Sequence, residues 1–307
     1  GKGHELAFAL ETAPDLVRIF EEALEQPYPY KKLDIVAAPQ WPSGATELAA
    51  AITYRESRIL AGEDIGPAAR RSVLAIHAHE VGHMWFGNLV TPPWWDDLWL
   101  KEAFACWGVG ASMSEMYHGE GYELDPIVDG IKAMQLDRLS SARALQEHIA
   151  LNANVRNAYD SITYNKGLAV IGMVDAYFGA DAFRPALGRY IEAFEDGVAG
   201  SPEFFEIIGR ETGEPDLTRA FRSFVEQNGL PLVTVEPGSE TGYQVRQSRY
   251  APLGGDAASD QLWVIPFCWV NGISDTRLRD CALLADRVQP LPDADGSADL
   301  AGAPWLL

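Results

Sequence analysis

The segment His79-Glu80-Val81-Gly82-His83 constrains this chain more than any other. Residues four apart on an α-helix lie on one face, about 40° apart around the axis. His79 and His83 can therefore aim at one point, with the Glu80 carboxylate beside them. Taken alone, so short a pattern recurs by chance, and a surface helix carrying two solvated histidines is the competing account. The flanks argue otherwise. Ser72-Val73-Leu74-Ala75-Ile76 precedes the segment and Met84-Trp85-Phe86 follows it. The helix expected over roughly 68–90 is thus apolar nearly all round, as a buried helix is. Buried imidazoles need partners. Two neutral imidazoles beside a carboxylate that can take a proton from water suit a catalytic zinc ion, so the pattern points to a zinc hydrolase.

Catalytic zinc takes three protein ligands and keeps one position open, so a third ligand must follow. A third histidine in the metzincin pattern would need Gly at 86 and His at 89, and Phe86 and Leu89 exclude it. A carboxylate fits better. Glu102 follows His83 with eighteen residues between them, in the helical stretch Trp99-Leu100-Lys101-Glu102-Ala103-Phe104-Ala105. Gly87 to Trp95, with Pro92 and Pro93, can end one helix and turn into the next. Asp96 and Asp97 are rival third ligands, although capping the second helix is the commoner task for carboxylates so placed. His77 points to another face of the first helix and reads as structural. Cys106 reads as a small packed residue.

With these residues assembled, the chain resembles the aminopeptidase N family of gluzincin metallopeptidases. Trp85-Phe86-Gly87-Asn88-Leu89-Val90-Thr91 and Trp94-Trp95-Asp96-Asp97-Leu98-Trp99-Leu100 match the family's segments around the zinc ligands almost letter for letter. Gly44-Ala45-Thr46-Glu47-Leu48 stands where the family has Gly-Ala-Met-Glu-Asn, and Tyr164-Asn165-Lys166-Gly167 resembles its Tyr-x-Lys-Gly. The resemblance implies one Zn²⁺ per chain on His79, His83 and Glu102. It implies Glu80 as general base and then acid, Tyr164 as donor to the oxyanion, and Glu47 as anchor for a substrate's free α-ammonium. Gly44 and Ala45 would flank that substrate, and Tyr159 matches a second tyrosine of some members. The implied reaction is hydrolysis of the N-terminal peptide bond by zinc-activated water, on peptides with a free N-terminus. An epoxide-hydrolase-type or bifunctional relative uses the same site, and a non-catalytic zinc-binding scaffold has no need of Glu80 and Tyr164. Thr46, Leu48, Lys101 and Ala103 depart from the family's letters. Lys101, next to the third ligand, is expected to point away into solvent.

The fold class implied is α+β: a thermolysin-like catalytic domain over 1–228, then a small β-sandwich domain over 229–307. Leu33–Ala38 and Ala50–Tyr54 read as strands, the second as an edge strand to which a peptide substrate could add. Helical patterns, such as Ala182–Phe194 and Leu217–Gln227, run to about residue 228. Val233–Val235, Tyr243–Arg249, Gln261–Val270 and Leu278–Leu284 then read as strands. Asp293–Gly302 reads as a loop and Ala303–Leu307 as a strand cut midway. The family's N-terminal β-rich and C-terminal helical domains have no counterpart here, so a fragment of a longer protein is expected. The net charge of −20 argues against nucleic acid and anionic membrane surfaces as partners. No apolar run is long enough to span a membrane. Three widely spaced cysteines give no disulfide framework and no cysteine-based metal site. The cytoplasm is the favoured compartment, with periplasm or secretion as alternatives.

Overall fold

Helix packing around one aromatic ring organises the first three quarters of the chain. The computed structural model describes residues 2–62, 64–238, 242–255, 259–271 and 278–291. In chain order, α1 (Ala7–Leu24) leads to β1 (Asp34–Ala38), β2 (Ala45–Thr46), β3 (Ala51–Arg55) and the single turn α2 (Glu56–Ile59). Then come α3 (Pro67–Gly82), β4 (Val90–Thr91), α4 (Leu98–Met116) and α5 (Asp125–Asp137). A π-helical turn at Ile162–Lys166 runs into α6 (Gly167–Phe178), followed by α7 (Ala180–Phe194), β5 (Gly197–Val198), α8 (Ser201–Glu211) and α9 (Leu217–Val225). The remaining described elements are strands: β6 (Pro231–Pro237), β7 (Tyr243–Arg249), β8 (Ile265–Asn271), β9 (Leu278–Leu284) and β10 (Val288–Pro290). The protein is thus a mixed helix-and-sheet fold, with five short strands set among the helices and the described elements after α9 all strands.

The core of the helical part centres on Phe20 of α1. Its ring stacks on Trp85 at 5.5 Å and lies against Gly82 of α3 and Gly108 of α4. A methyl group on Gly82 would come within 2.8 Å of Phe20 Cζ, and one on Gly108 would overlap the ring. Two glycines therefore let α3 and α4 close over a single phenyl ring, which sets the distance between the two helices that carry the expected metal ligands. Trp85 and Phe104 are fully buried beside this contact, and Phe86 nearly so.

Several sequence expectations need correction. Helix α3 ends at Gly82, not near residue 90. The chain turns at His83–Phe86, Gly87 adopts φ 120°, a left-handed-side conformation that favours glycine, and its N–H donates to the Val90 carbonyl. Beyond it β4 pairs with β5 in parallel, so the apolar run Met84-Trp85-Phe86 is buried on a turn and not on a helix. β3 is the centre of its sheet, in the order β1-β3-β2, and the two-residue β2 is the edge. Asp96 and Asp97 do not cap α4. Asp96 accepts from His148 and from the Ile149 backbone N–H, while Asp97 accepts from Gln146 and Ser201. They tie distant segments to the start of α4.

The strand segment has a small core of its own, with Val245, Trp263, Ile265, Trp269, Leu284 and Leu291 buried together. Tyr243–Arg249 and Leu278–Leu284 form as expected, whereas Gln261–Val264 is irregular and only Ile265 onward is strand. There Gln247 takes the place of a partner strand, accepting from the Trp263 N–H and donating to its carbonyl. Cys268 and Cys281 face each other directly in the β8–β9 register and are disulfide-bonded. This corrects the reading of unpaired cysteines, because thirteen residues of sequence separation vanish once the two strands fold back on each other. Asp293–Gly302 and Ala303–Leu307 lie outside the described residues. No helix among the described residues is long and apolar enough to cross a membrane.

Gly108→Ala should lower the thermal midpoint by several degrees, since overpacking a rigid aromatic contact costs about 1–3 kcal/mol. A calorimetric scan showing an unchanged midpoint would refute the account of the α3–α4 contact.

Candidate active site and metal centre

Helix α3 presents His79 and His83 toward α4, and Glu102, in the second turn of α4, meets them. His79 Nε2 and His83 Nε2 are 3.1 Å apart, and Glu102 Oε2 lies 3.2 Å from the first and 3.4 Å from the second. Four-coordinate zinc with bonds of about 2.0–2.1 Å has ligands about 3.3 Å apart, so this triangle has the dimensions of one face of a zinc tetrahedron. The imidazole orientations agree. The His83 Nδ1–H donates to the Phe86 carbonyl at 2.9 Å, which leaves Nε2 as the free lone pair. His79 Nδ1 lies 3.6 Å from Cys106 Sγ, so its Nε2 also faces inward. His83 and Glu102 are buried, while His79 is partly open. Burial works against a charge on Glu102, yet His83, Lys101 and His79 together hold its carboxyl well below the usual range. The residues present therefore fit a divalent metal ion.

Glu80 sits one residue beyond His79 and is buried. Its Oε2 has no hydrogen-bond partner in the structure, and burial pushes its carboxyl above the ordinary value, although His83 and His79 pull the other way. A buried carboxylate with a free oxygen beside a metal trio is equipped to accept a proton. Tyr164 stands across from His79, with ring centroids 6.0 Å apart. Burial, followed by the nearby Glu102 charge, raises its phenol so far that it stays a neutral donor. Tyr159 lies on the exposed rim, 6.5 Å from the Tyr164 ring.

Glu47 comes from the loop after β2 and is fixed by Asn88, whose side-chain amide donates to the Glu47 carbonyl at 2.9 Å. Carboxylate oxygens of Glu47 and Glu80 and a ring nitrogen of His83 all lie within 4.8 Å of one another. Gly44 and Ala45 are set on edge strand β2 and its approach, with Ala45 paired to Tyr54 of β3. A cavity of about 300 Å³ opens beside Glu47, walled by Thr91, Pro92, Pro93, Trp94, Trp95 and Leu98. The structure thus brings Glu47, His79, Glu80, His83, Glu102 and Tyr164 to one place, with Tyr159 at its margin.

Two residues enter the site that the sequence reading had left out. Lys101 does not point into solvent: its ammonium donates to Glu47 Oε1 at 2.6 Å and to Glu102 Oε1 at 2.7 Å. Burial opposes its charge, but those two carboxylates raise its pKa. Nothing in the sequence placed the Glu47 loop over this position, and without that loop a lysine on an outer helix face reads as solvated. Cys106 is the partner of His79. Its position four residues after Glu102 on the same helix was the available signal, since i and i+4 share a face. His77 is structural, as expected, fully buried and hydrogen-bonded to Tyr54 at 2.7 Å.

Comparison with known proteins agrees with this geometry. The peptidase family M1 domain matches residues 8–226. The chain is 32% identical over 282 residues to Aminopeptidase M1-B of Oryza sativa subsp. japonica, covering 90% of this chain and 31% of that protein. It is 30% identical over 284 residues to Probable aminopeptidase 1 of Sulfurisphaera tokodaii, covering 91% and 35%. It is 29% identical over 282 residues to Leucyl aminopeptidase of Saccharolobus solfataricus, covering 91% and 35%. The chain belongs to peptidase family M1, a family of metallopeptidases. It spans about a third of the length of these curated relatives.

Metal analysis of the purified chain should find about one divalent ion per molecule, and His83→Ala should abolish it. A metal content unaffected by that substitution would show that the trio is not the site.

Proposed function

We propose that this chain is the catalytic part of a zinc-dependent aminopeptidase that removes the first residue from peptides with a free N-terminus. The observation that carries the reading is the closeness of Glu47 to Glu80 and His83, all within 4.8 Å. A carboxylate so near the reacting centre leaves room for one residue between a bound α-ammonium and the bond to be cut. A substrate amine would be paired there, whereas an internal peptide bond would leave Glu47 with nothing to bind, which selects for chain ends.

His79, His83 and Glu102 would hold zinc, which supplies Lewis acidity, bringing the pKa of water toward 7 and polarising the scissile carbonyl. Glu80 accepts the proton of the attacking water with its unpartnered oxygen and returns it to the departing amine. Tyr164 donates its phenol hydrogen to the oxyanion that develops on the carbonyl, a preorganised contact of a kind worth about 3 kcal/mol elsewhere. Glu47 holds the α-ammonium, and Lys101, bonded to both Glu47 and Glu102, fixes the anchor relative to the metal trio. Gly44 and Ala45, on the edge strand, offer backbone groups to an extended substrate, and Tyr159 borders the entrance. The cavity beside Glu47, walled by prolines and tryptophans, suits the first side chain. In this reading residues 1–228 form a thermolysin-like catalytic unit and 229–307 a small β-sandwich. The two small sheets around Trp263 and Trp269 support the second assignment.

Glu80→Gln should retain the metal and lower kcat on an aminoacyl anilide by about 10²–10⁴-fold, the usual contribution of a positioned proton carrier. Retention of more than a tenth of the activity would remove Glu80 from the reaction. Glu47→Ala should erase about 10–100-fold of the preference for a free-amine peptide over its N-acetylated form, as expected for loss of a hydrogen bond to a charged group. A preference left intact would mean that the anchor lies elsewhere.

A further inference from the structure

We propose that Arg143 and Lys166 are positioning residues that aim the Tyr164 phenol, acting from opposite ends of the turn that bears it; this rests on the reading of Tyr164 as the oxyanion donor. Tyr164 is the middle residue of the π-helical turn Ile162–Lys166. Such turns are rare and persist where the surroundings enforce them. Two buried or largely covered ion pairs supply that enforcement.

At the leading end, Asp160 Oδ1 accepts from the backbone N–H groups of Ile162 and Thr163, each at 3.0 Å, and the Asp160 carbonyl accepts from Tyr164 N–H. Asp160 is in turn gripped by Arg143, through Nη2 at 2.6 Å and Nε at 3.1 Å. The same guanidinium donates to Thr163 Oγ1 at 2.6 Å and to the carbonyls of Ala144 and Leu145. One planar fork thus joins Asp160, the turn and the preceding loop. Lysine could not reproduce it, having a single nitrogen where arginine presents several at fixed angles.

At the trailing end, Lys166 pairs with Asp137 of α5 at 2.9 Å, with both side chains under a tenth exposed. Lys166 also donates to the Gln227 carbonyl, and Asp137 accepts from the Gly229 N–H at 2.8 Å. The end of the Tyr164 turn is therefore tied to the junction where the helices give way to β6. Next to Lys166, a methyl group on Gly167 would lie 2.8 Å from Ala103 Cβ, so the turn bears directly on α4 beside Glu102. A shift of the turn therefore changes the distance from the phenol to the metal trio. The hydrogen bonds of Arg143 and Lys166 end on the turn, its flanking loops, α5 and the β6 junction.

The test is a set of double-mutant comparisons on the zinc-loaded chain, using a leucyl anilide. Arg143→Lys and Lys166→Met should each lower kcat at least 10-fold with KM changed less than twofold, because a misplacement of about 1 Å can cost 100-fold in rate. In a Tyr164→Phe background the same substitutions should lower kcat less than twofold further. Zinc content, measured separately, should stay at its wild-type value. Should Lys166→Met not fold, Asp137→Asn, which removes the charge paired with Lys166 while keeping an acceptor for the Gly229 N–H, serves in its place. Equal losses in both backgrounds, or a rise in KM with kcat unchanged, would overturn the proposal while leaving Tyr164 in its role. If Tyr164→Phe itself left kcat unchanged, the role of the phenol and this inference would fall together.

Discussion

The closeness of α3 and α4 across the ring of Phe20 is the constraint on which the spacing of His79, His83 and Glu102 depends. Two imidazoles come from one helix and a carboxylate from the other, and the three ligand atoms stand 3.1–3.4 Å apart. Side chains cannot make up for helix axes that are even an ångström too far apart, because histidine rings reach only a short way from the backbone. Gly82 and Gly108 remove the side-chain bulk that would force such a separation. The Phe20 ring then fills the space they leave, with Trp85 stacked behind it. The geometry of the candidate metal site is thus a consequence of core packing, and the hydrophobic term that drives that packing also sets the spacing of His79, His83 and Glu102.

Around this contact the protein buries an uneven set of charges. Glu47, Glu80 and Glu102 stand against a single lysine, Lys101, which binds the first and the third. Burying charge is costly unless it is paired. Lys101 offsets part of that cost, and a divalent ion at the His79, His83 and Glu102 trio would offset more. Of these three carboxylates, Glu80 is the one with a buried oxygen that has no hydrogen-bond partner. A buried polar group without a partner calls for an explanation, and the role proposed for Glu80 as proton carrier supplies one.

The parts of the site that could be read from the sequence are those with local spacing. His79 and His83 share a helical face whatever the tertiary context. Glu102 follows on the next helical stretch, and the segments that resemble the M1 family carry Glu47 and Tyr164 with them. Four of the misreadings have a common cause, since each depended on what a distant segment does. Lys101 looked solvated because the loop carrying Glu47 covers it only in the folded chain. Asp96 and Asp97 looked like helix caps, but His148, Gln146 and Ser201, all remote in sequence, claim them. The strand at Ala51–Arg55 looked like an edge until Ala45–Thr46 paired along its free side. Cys268 and Cys281 became partners only through the β8–β9 register.

By itself, then, the sequence determined the chemistry available to this protein: which side chains could hold a metal, carry a proton or stabilise an oxyanion. Those are properties of residue types at short, helix-defined separations. Only the tertiary structure decided how these groups are spaced and charged. It set the triangle of His79, His83 and Glu102 through the α3–α4 contact and placed the Lys101 ammonium between Glu47 and Glu102. It also held Tyr164 on a π-helical turn between two ion pairs. These are long-range packing outcomes, in which many weak contacts from separate segments must be satisfied together, and no local pattern encodes their sum.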